Sequence, residues 1–338
     1  MVWFKRILSF ILFCILIYLF WPLAKELGNL GPVLRDAQWV WILAAVAIQF
    51  VSYAALAKLN TLLLRPFPGQ IGFWRMISVL PCIAFIEVTV PSAGASGFVL
   101  RARLLGQSGY SLETSTFTAA MEMIFISIMM AFVSIAGLWY LVRMGDILFY
   151  QIVLLVMIAL ILMAAGGLAV WYARDREQVK RLALRINGIA NHWLERHHRP
   201  VHSDAAISQR IDEFYDGLHQ LRKRSIRPYF LTAFIRIALD IACLGACFIA
   251  FNYVISPGAL LTGYGLMLLV SGLAALPGGL GFADLSLSVI YARLGAPGAV
   301  AVAAALTYRL IAWWLVRFIG FINWQLLEVR YGKSQPSS

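Results

Sequence analysis

Charge is what this sequence has least of. Asp, Glu, Lys and Arg make up 13% of its 338 residues, against 61% apolar. An ordinary soluble domain is about a quarter charged, so this chain has too little charge to cover a water-facing surface. The same figures argue against disorder. Cysteine is scarce too. Cys14, Cys82, Cys243 and Cys247 all lie in apolar runs, which leaves neither a disulfide framework nor a metal-type Cys-x-x-Cys pair. Cys243 and Cys247, at i and i+4, read as helix packing. The five histidines, His192, His197, His198, His202 and His219, fall in one polar stretch, with no Cys or placed carboxylate to complete a metal site. Gly-x-Ser-x-Gly, Walker A and His-Glu-x-x-His motifs are missing. The expectation is therefore no enzyme, no metal and no cofactor. No soluble reading head accompanies the net charge of +12, so the excess reads as cytoplasmic Lys and Arg rather than as a nucleic-acid surface.

What is present is a series of apolar runs near the ~20 residues that cross a bilayer. They predict spans at residues 7–23, 39–64, 114–142, 147–172, 229–255 and 299–326. Lys5 and Arg6 precede the first run and no small-x-small cleavage site follows it, so it reads as an uncleaved span starting in the cytoplasm. One long polar stretch, 173–228, carries twelve Lys or Arg against seven Asp or Glu. Four spans return the chain to its starting side, where the basic stretch also belongs. Within it, Val179, Leu182, Ile186, Ile189 and Trp193, then Ile207, Ile211, Phe214, Leu218 and Leu221, recur at helical steps. Two amphipathic helices are expected, covering the cytoplasmic ends of the bundle in preference to sensing lipid.

Two segments do not read as simple spans. Residues 73–109 contain Pro81, Pro91, Gly94 and Gly97; residues 258–295 contain Gly263, Gly265, Gly272, Pro277, Gly278, Gly279 and Gly281. Val90-Pro91-Ser92-Ala93-Gly94 pairs with Leu276-Pro277-Gly278-Gly279-Leu280, and Arg103-Leu104-Leu105-Gly106 with Arg293-Leu294-Gly295. The prolines precede Glu122 and Arg309 by 31 and 32 positions. The flanking spans enter from opposite sides, so the two units form an inverted repeat. Paired Gly/Pro-broken segments of that kind mark transporter binding sites, because irregular backbone at membrane depth must be buried or line a cavity.

Ionisable residues in apolar stretches narrow the candidates, since each costs at least ~2.5 kcal/mol at the bilayer centre. Arg236 and Asp240 are i, i+4 and read as a local ion pair. Glu122 and Arg309 lack a partner on their own helices, and either face a common cavity or bridge the two halves. Asp284 caps a helix or lines that cavity. Glu87 sits before Pro91 in the first hairpin. Arg101 and Arg103 either hold anionic head groups at the cytoplasmic rim or are ordinary positive-inside charges.

These residues carry a resemblance. Pro91 to Leu105, and above all Leu276 to Asp284 followed by Tyr308-Arg309-Leu310, resemble the flippase-like transmembrane domain of lysylphosphatidylglycerol synthases, over residues 5–328. In the full-length synthases that domain moves an aminoacylated phospholipid between leaflets, and a separate soluble domain makes it. With this chain ending at Ser338, the resemblance implies lipid translocation without aminoacyl transfer. It also implies Pro91, Gly94, Gly97, Arg101, Pro277, Gly278, Gly279, Gly281, Asp284 and Arg309 as motif positions.

The expected architecture is an all-α integral membrane protein with about six full spans and two re-entrant hairpins in an inverted repeat. Its parts are an N-terminal half (1–172), a cytoplasmic loop (173–228), a C-terminal half (229–330) and a tail (331–338). Both termini lie on the cytoplasmic side of a bacterial inner membrane. The expected partner is a membrane phospholipid or polyprenyl-linked glycolipid, carried by alternating access with Arg309 on the phosphate and Glu122 balancing it. The alternative is a non-transporting subunit that holds a lipid-modifying enzyme or glycosyltransferase.

Overall fold

The computed structural model describes residues 30–89, 95–144, 175–181, 184–185, 187–188, 203–222, 225–274 and 282–331. No strand occurs among them. The helices are α1 (Leu30–Arg35), α2 (Trp39–Leu64), α3 (Phe73–Thr89), α4 (Ala95–Gly106), α5 (Leu112–Met144), α6 (Asp204–Arg222), α7 (Arg227–Ala250), α8 (Pro257–Ala274), α9 (Phe282–Arg293) and α10 (Gly298–Arg309). A π-helical turn, Leu310–Leu315, joins α10 to α11 (Val316–Tyr331). Among the described residues, four stretches are long and apolar enough to cross a membrane: Trp39–Leu64, Leu112–Gly137, Arg227–Ala250 and Gly298–Leu326. Their outward faces carry exposed Leu43, Phe132, Leu231 and Phe318, as helices facing acyl chains do. The spans expected at 7–23 and 147–172 lie outside the described residues.

The fifth expected span ends earlier than hydropathy alone placed it. Helix α7 stops at Ala250 because Asn252 takes a left-handed conformation (φ 57°), which closes helices. Its side chain then donates to the Asp36 carbonyl at 3.0 Å and is bonded by Gln38.

Both broken segments form helical hairpins, α3–α4 and α8–α9, each with its two arms packed together. The return arms end alike. Tyr110 N–H reaches the Leu105 carbonyl at 3.2 Å and Ala296 N–H reaches Tyr291 at 3.0 Å. Gly109 and Gly295 stand before them at φ 83° and 93°. This is the Schellman closure, whose left-handed position favours glycine. Pro91 and Pro277, Gly109 and Gly295, and the starts of α5 and α10 therefore share one offset of 186 residues. By that offset Gly295 pairs with Gly109 and Tyr308 with Glu122.

The packing follows the same exchange. Helices α2 and α7 lie against each other, α3 packs on α11, and α8 packs on α5. Each hairpin thus has one arm packed on a long helix far from it in sequence, α3 on α11 and α8 on α5. Helix α2 begins beside the end of α7, where the Gln38 N–H reaches the Ala250 carbonyl at 2.8 Å. The α8–α9 hairpin opens at that end, where Tyr253 donates to the Gly295 carbonyl at 3.1 Å. The α3–α4 hairpin opens at the other end, closed by Gln70 N–H on the Ser108 carbonyl at 3.0 Å. Small residues let the backbones approach, as they do between membrane helices. A Cβ on Gly137 would lie 2.6 Å from Thr262 Cα, and Thr262 donates to the Gly137 carbonyl at 2.8 Å. Gly320 fits against the Pro81 carbonyl, and Asn323 donates to Ser78 O at 3.3 Å.

The described part of the polar loop covers one end of the bundle. Phe214 of α6 meets Phe117 edge-on at 5.2 Å, Phe67 packs on Phe117 at 5.4 Å, and Gly217 lies under Phe67. Arg176 and Lys180 both hold Asp212, each at 2.6 Å. Those bonds keep the Asp212 carboxyl below its ordinary range.

Candidate functional site

The buried polar residues sort into three groups. In the first, Arg101 of α4 donates to Glu122 of α5 at 2.6 Å and to the Asn60 side-chain oxygen of α2 at 2.5 Å. Arg101 is 8% exposed. Two such bonds from a planar fork tie three helices together. The carboxylate of Glu122 is thus met by Arg101, 21 residues before it. Arg101 is buried in that contact, whereas Arg103 is exposed.

The second group joins α2, α7, α8 and α10. Arg236 and Asp240 form the i, i+4 ion pair. Ser52 donates to Asp240 at 3.2 Å and to the Arg236 carbonyl at 2.9 Å, and Tyr264 donates to Asp240 at 3.3 Å. Tyr308 hydrogen-bonds Tyr264 in turn, and the ring of Tyr53 lies 5.2 Å from the Arg236 guanidinium. Each charge has its partners here, so this network reads as the structural centre of the bundle.

The third group surrounds the π-turn. The Arg317 guanidinium stacks 3.7 Å from the Trp313 ring, and Arg309 approaches the same ring at 5.2 Å. Arg317 also donates to the Trp313 carbonyl at 2.9 Å. Its Nε is buried without a hydrogen-bond partner, and no carboxylate lies within ion-pairing distance of Arg317 among the described residues. Glu87, near the tip of the first hairpin, interacts electrostatically with Arg317, Arg101 and Glu122. Its side chain occupies the space that a Cβ on Gly97 would need, which explains glycine at that point of α4. A π-turn widens the helix locally and is often found where helices do chemistry or bind.

Beside the π-turn is a cavity of about 70 Å³ between α2, α3 and α11. Gln49, Tyr53 and Asn323 are its polar walls, and Phe50, Ile311 and Leu315 are among its apolar ones. Among the described residues, no carboxylate, Lys, Arg or His lines it.

Of the remaining sequence candidates, Asp284 falls in the first turn of α9. Pro91, Gly94, Pro277, Gly278, Gly279 and Gly281 lie outside the described residues. So do His192, His197, His198 and His202. Among the described residues, no three His, Cys, Asp or Glu side chains converge to hold a metal. Sequence reasoning places none of Gln49, Asn60 and Arg317 in the site. A signal existed for the first two. Gln49, Ser52 and Asn60 are polar residues in an apolar run, and at 100° per residue they share one face of α2. The π-turn has no comparable mark.

The chain matches the family model described as the lysylphosphatidylglycerol synthase TM region over residues 6–320. Two UPF0104 membrane proteins of Methanothermobacter thermautotrophicus are similar to it. One is 24% identical over 296 residues, covering 87% of each chain. The other is 28% identical over 306 residues, covering 86% of this chain and 85% of the relative. A UPF0104 membrane protein of Methanocaldococcus jannaschii is 26% identical over 137 residues, 40% of this chain and 41% of its own.

Proposed function

The chain belongs to the lysylphosphatidylglycerol synthase transmembrane-region family, and on that premise we propose that it moves a phosphate-bearing lipid, a phospholipid or a polyprenyl-linked glycolipid, between leaflets. In this reading the four apolar spans are joined by two more at 7–23 and 147–172. The hairpins are re-entrant and enter from opposite membrane faces as an inverted repeat. The basic 173–228 loop and both termini face the cytoplasm of a bacterial inner membrane.

The observation that carries the proposal is Arg317, a guanidinium within an apolar span with a buried, unpartnered Nε and no carboxylate in ion-pairing distance among the described residues. A cation at that depth needs an anion. A lipid phosphate supplies it, with Arg309 beside Arg317 as the second donor group. Glu87 offsets the charge when no lipid is present and yields to the phosphate when one arrives. Arg101, locked to Glu122 and Asn60, positions the hairpin arm that carries Gly97. Rocking of one half against the other then exposes the phosphate site to alternate sides.

The test is leaflet exchange in liposomes containing the purified protein. Fluorescent phosphatidylglycerol, its lysyl form and a polyprenyl phosphate serve as probes. Exchange of at least one lipid that falls on Arg309→Ala and Arg317→Met is the expected result. Exchange unaffected by both substitutions, or no exchange from folded protein, refutes the proposal.

A further inference from the structure

The cavity beside the π-turn contains a side chain that no interaction described so far accounts for. Gln49 is 3% exposed, and neither its amide nitrogen nor its carbonyl oxygen has a hydrogen-bond partner among the described residues. A buried amide left unsatisfied costs about 1–3 kcal/mol, so native structures rarely keep one without an occupant to satisfy it. Gln49 also sits on an apolar span, where a Leu or Val would avoid that cost. The side chain lines the cavity, and its amide offers one group that donates and one that accepts.

The walls say what the occupant is. With no carboxylate, Lys, Arg or His among the described lining residues, the cavity suits an uncharged part of a ligand. It is several times the ~10–15 Å³ that admits one water and far too small for a whole lipid. Phe50, one of its walls, is exposed on the outside of α2, so the cavity reaches the face that meets acyl chains. The π-turn that provides Ile311 and Leu315 to the wall has Arg309 immediately before it and Arg317 two residues after it. A ligand uncharged in the cavity, anionic toward the arginines and apolar toward Phe50 has the layout of a glycerophospholipid.

We infer that this cavity binds the glycerol-ester region of a membrane glycerophospholipid, with the Gln49 amide N–H donating to an ester carbonyl. The site is a lateral seat between α2, α3 and the last long helix. The inference deepens the transport reading by naming the substrate class, and it rests on that reading for the lipid's route but not for its binding.

Binding is tested without exchange. Purified protein in dodecyl maltoside is titrated with dioleoylphosphatidylglycerol, and thermal unfolding is followed for wild type and Gln49→Leu. Gln49→Leu removes the unsatisfied amide, so it unfolds at an equal or higher temperature without lipid. Its half-maximal lipid concentration should rise about threefold to tenfold, as expected for one lost hydrogen bond. An equal lipid response in both proteins overturns the inference and assigns water to the amide. A second measurement needs no variant. Wild type in phosphatidylglycerol nanodiscs is photolysed with a diazirine-bearing phosphatidylglycerol, and adducts are mapped by mass spectrometry. Labelling concentrated on Phe50, Ile311 and Leu315 supports the seat. Labelling spread evenly over outward residues such as Phe132 and Phe318 overturns it. Lipid binding that depends on Gln49, in protein showing no leaflet exchange, keeps the seat and removes the transport reading.

Discussion

Removing the guanidinium of Arg101 should destabilise the bundle more than removing both members of its ion pair. Arg101 holds Glu122 at 2.6 Å and Asn60 at 2.5 Å, and the side chains of the pair are 9% and 19% exposed. Arg101→Met leaves the Glu122 carboxylate buried without its counterion and the Asn60 oxygen without its donor. Breaking one side of a buried pair costs about 3–5 kcal/mol, whereas replacing both sides with neutral groups of similar size is often close to neutral. Glu122→Gln alone should cost less than Arg101→Met, because the amide still accepts from the guanidinium. The double variant Arg101→Met/Glu122→Gln should recover most of the loss. A double-mutant cycle on thermal unfolding in detergent measures this, and coupling of about 2 kcal/mol or more is expected between contacting charges. Coupling below about 0.5 kcal/mol would falsify the pairing, as would a double variant worse than Arg101→Met.

Other outcomes follow from the same geometry. Gly137→Leu should destabilise by about 1–3 kcal/mol through overpacking, because the first added atom already meets Thr262 Cα at 2.6 Å; unfolding at the wild-type temperature would contradict the close approach of α5 and α8. Gly97→Ala should displace the Glu87 side chain and lower lipid exchange with little loss of stability, read by exchange and unfolding side by side. Asp212 has its carboxyl lowered by Arg176 and Lys180. Its contribution is therefore complete above the unfolded-state value near 3.9 and is lost only as pH falls through the still lower folded value. Amide exchange across Asp204–Arg222 should be unchanged in this respect from about pH 7 to 5 and quicken below about 4; quickening near pH 6 would point to another group. Arg317→Met should slow lipid exchange at least about tenfold, the effect of one charge-assisted bond worth ~1.5–3 kcal/mol.

Much of this was legible because bilayer physics writes itself in long runs. Span 39–64 reads directly from hydropathy, and α2 occupies those residues. The prolines and glycines at 81–109 and 257–295 mark the hairpins because only such residues permit their breaks and closures. Membership of the synthase transmembrane family was readable from Leu276 to Asp284 and Tyr308 to Leu310. Pairing was harder to read. A near-equal count after each proline matches Glu122 to Arg309, whereas the structure gives Glu122 to Arg101, 21 residues before it. That contact depends on how α4 returns along α5, which no local pattern encodes. Arg236 and Asp240 were readable since a helix places i and i+4 together whatever surrounds it. The unpartnered amide of Gln49 could not be read, because a sequence records polar residues but not which of them lack a partner.

The crossed packing of the hairpins also bears on how the protein is made. Helix α3 finishes its principal contact only with α11, and α4 ends at residue 106 while α11 ends at residue 331. At roughly 5–20 residues per second, ribosomes need about 10–45 s to make the intervening chain. During that interval the first hairpin, with Glu87 and Pro81 on board, waits in the bilayer without the helix that carries Gly320 and Arg317. A nascent chain stopped before residue 298 therefore presents an open seam to whatever guards unassembled helices in the membrane. The last helix is therefore the one that closes this seam.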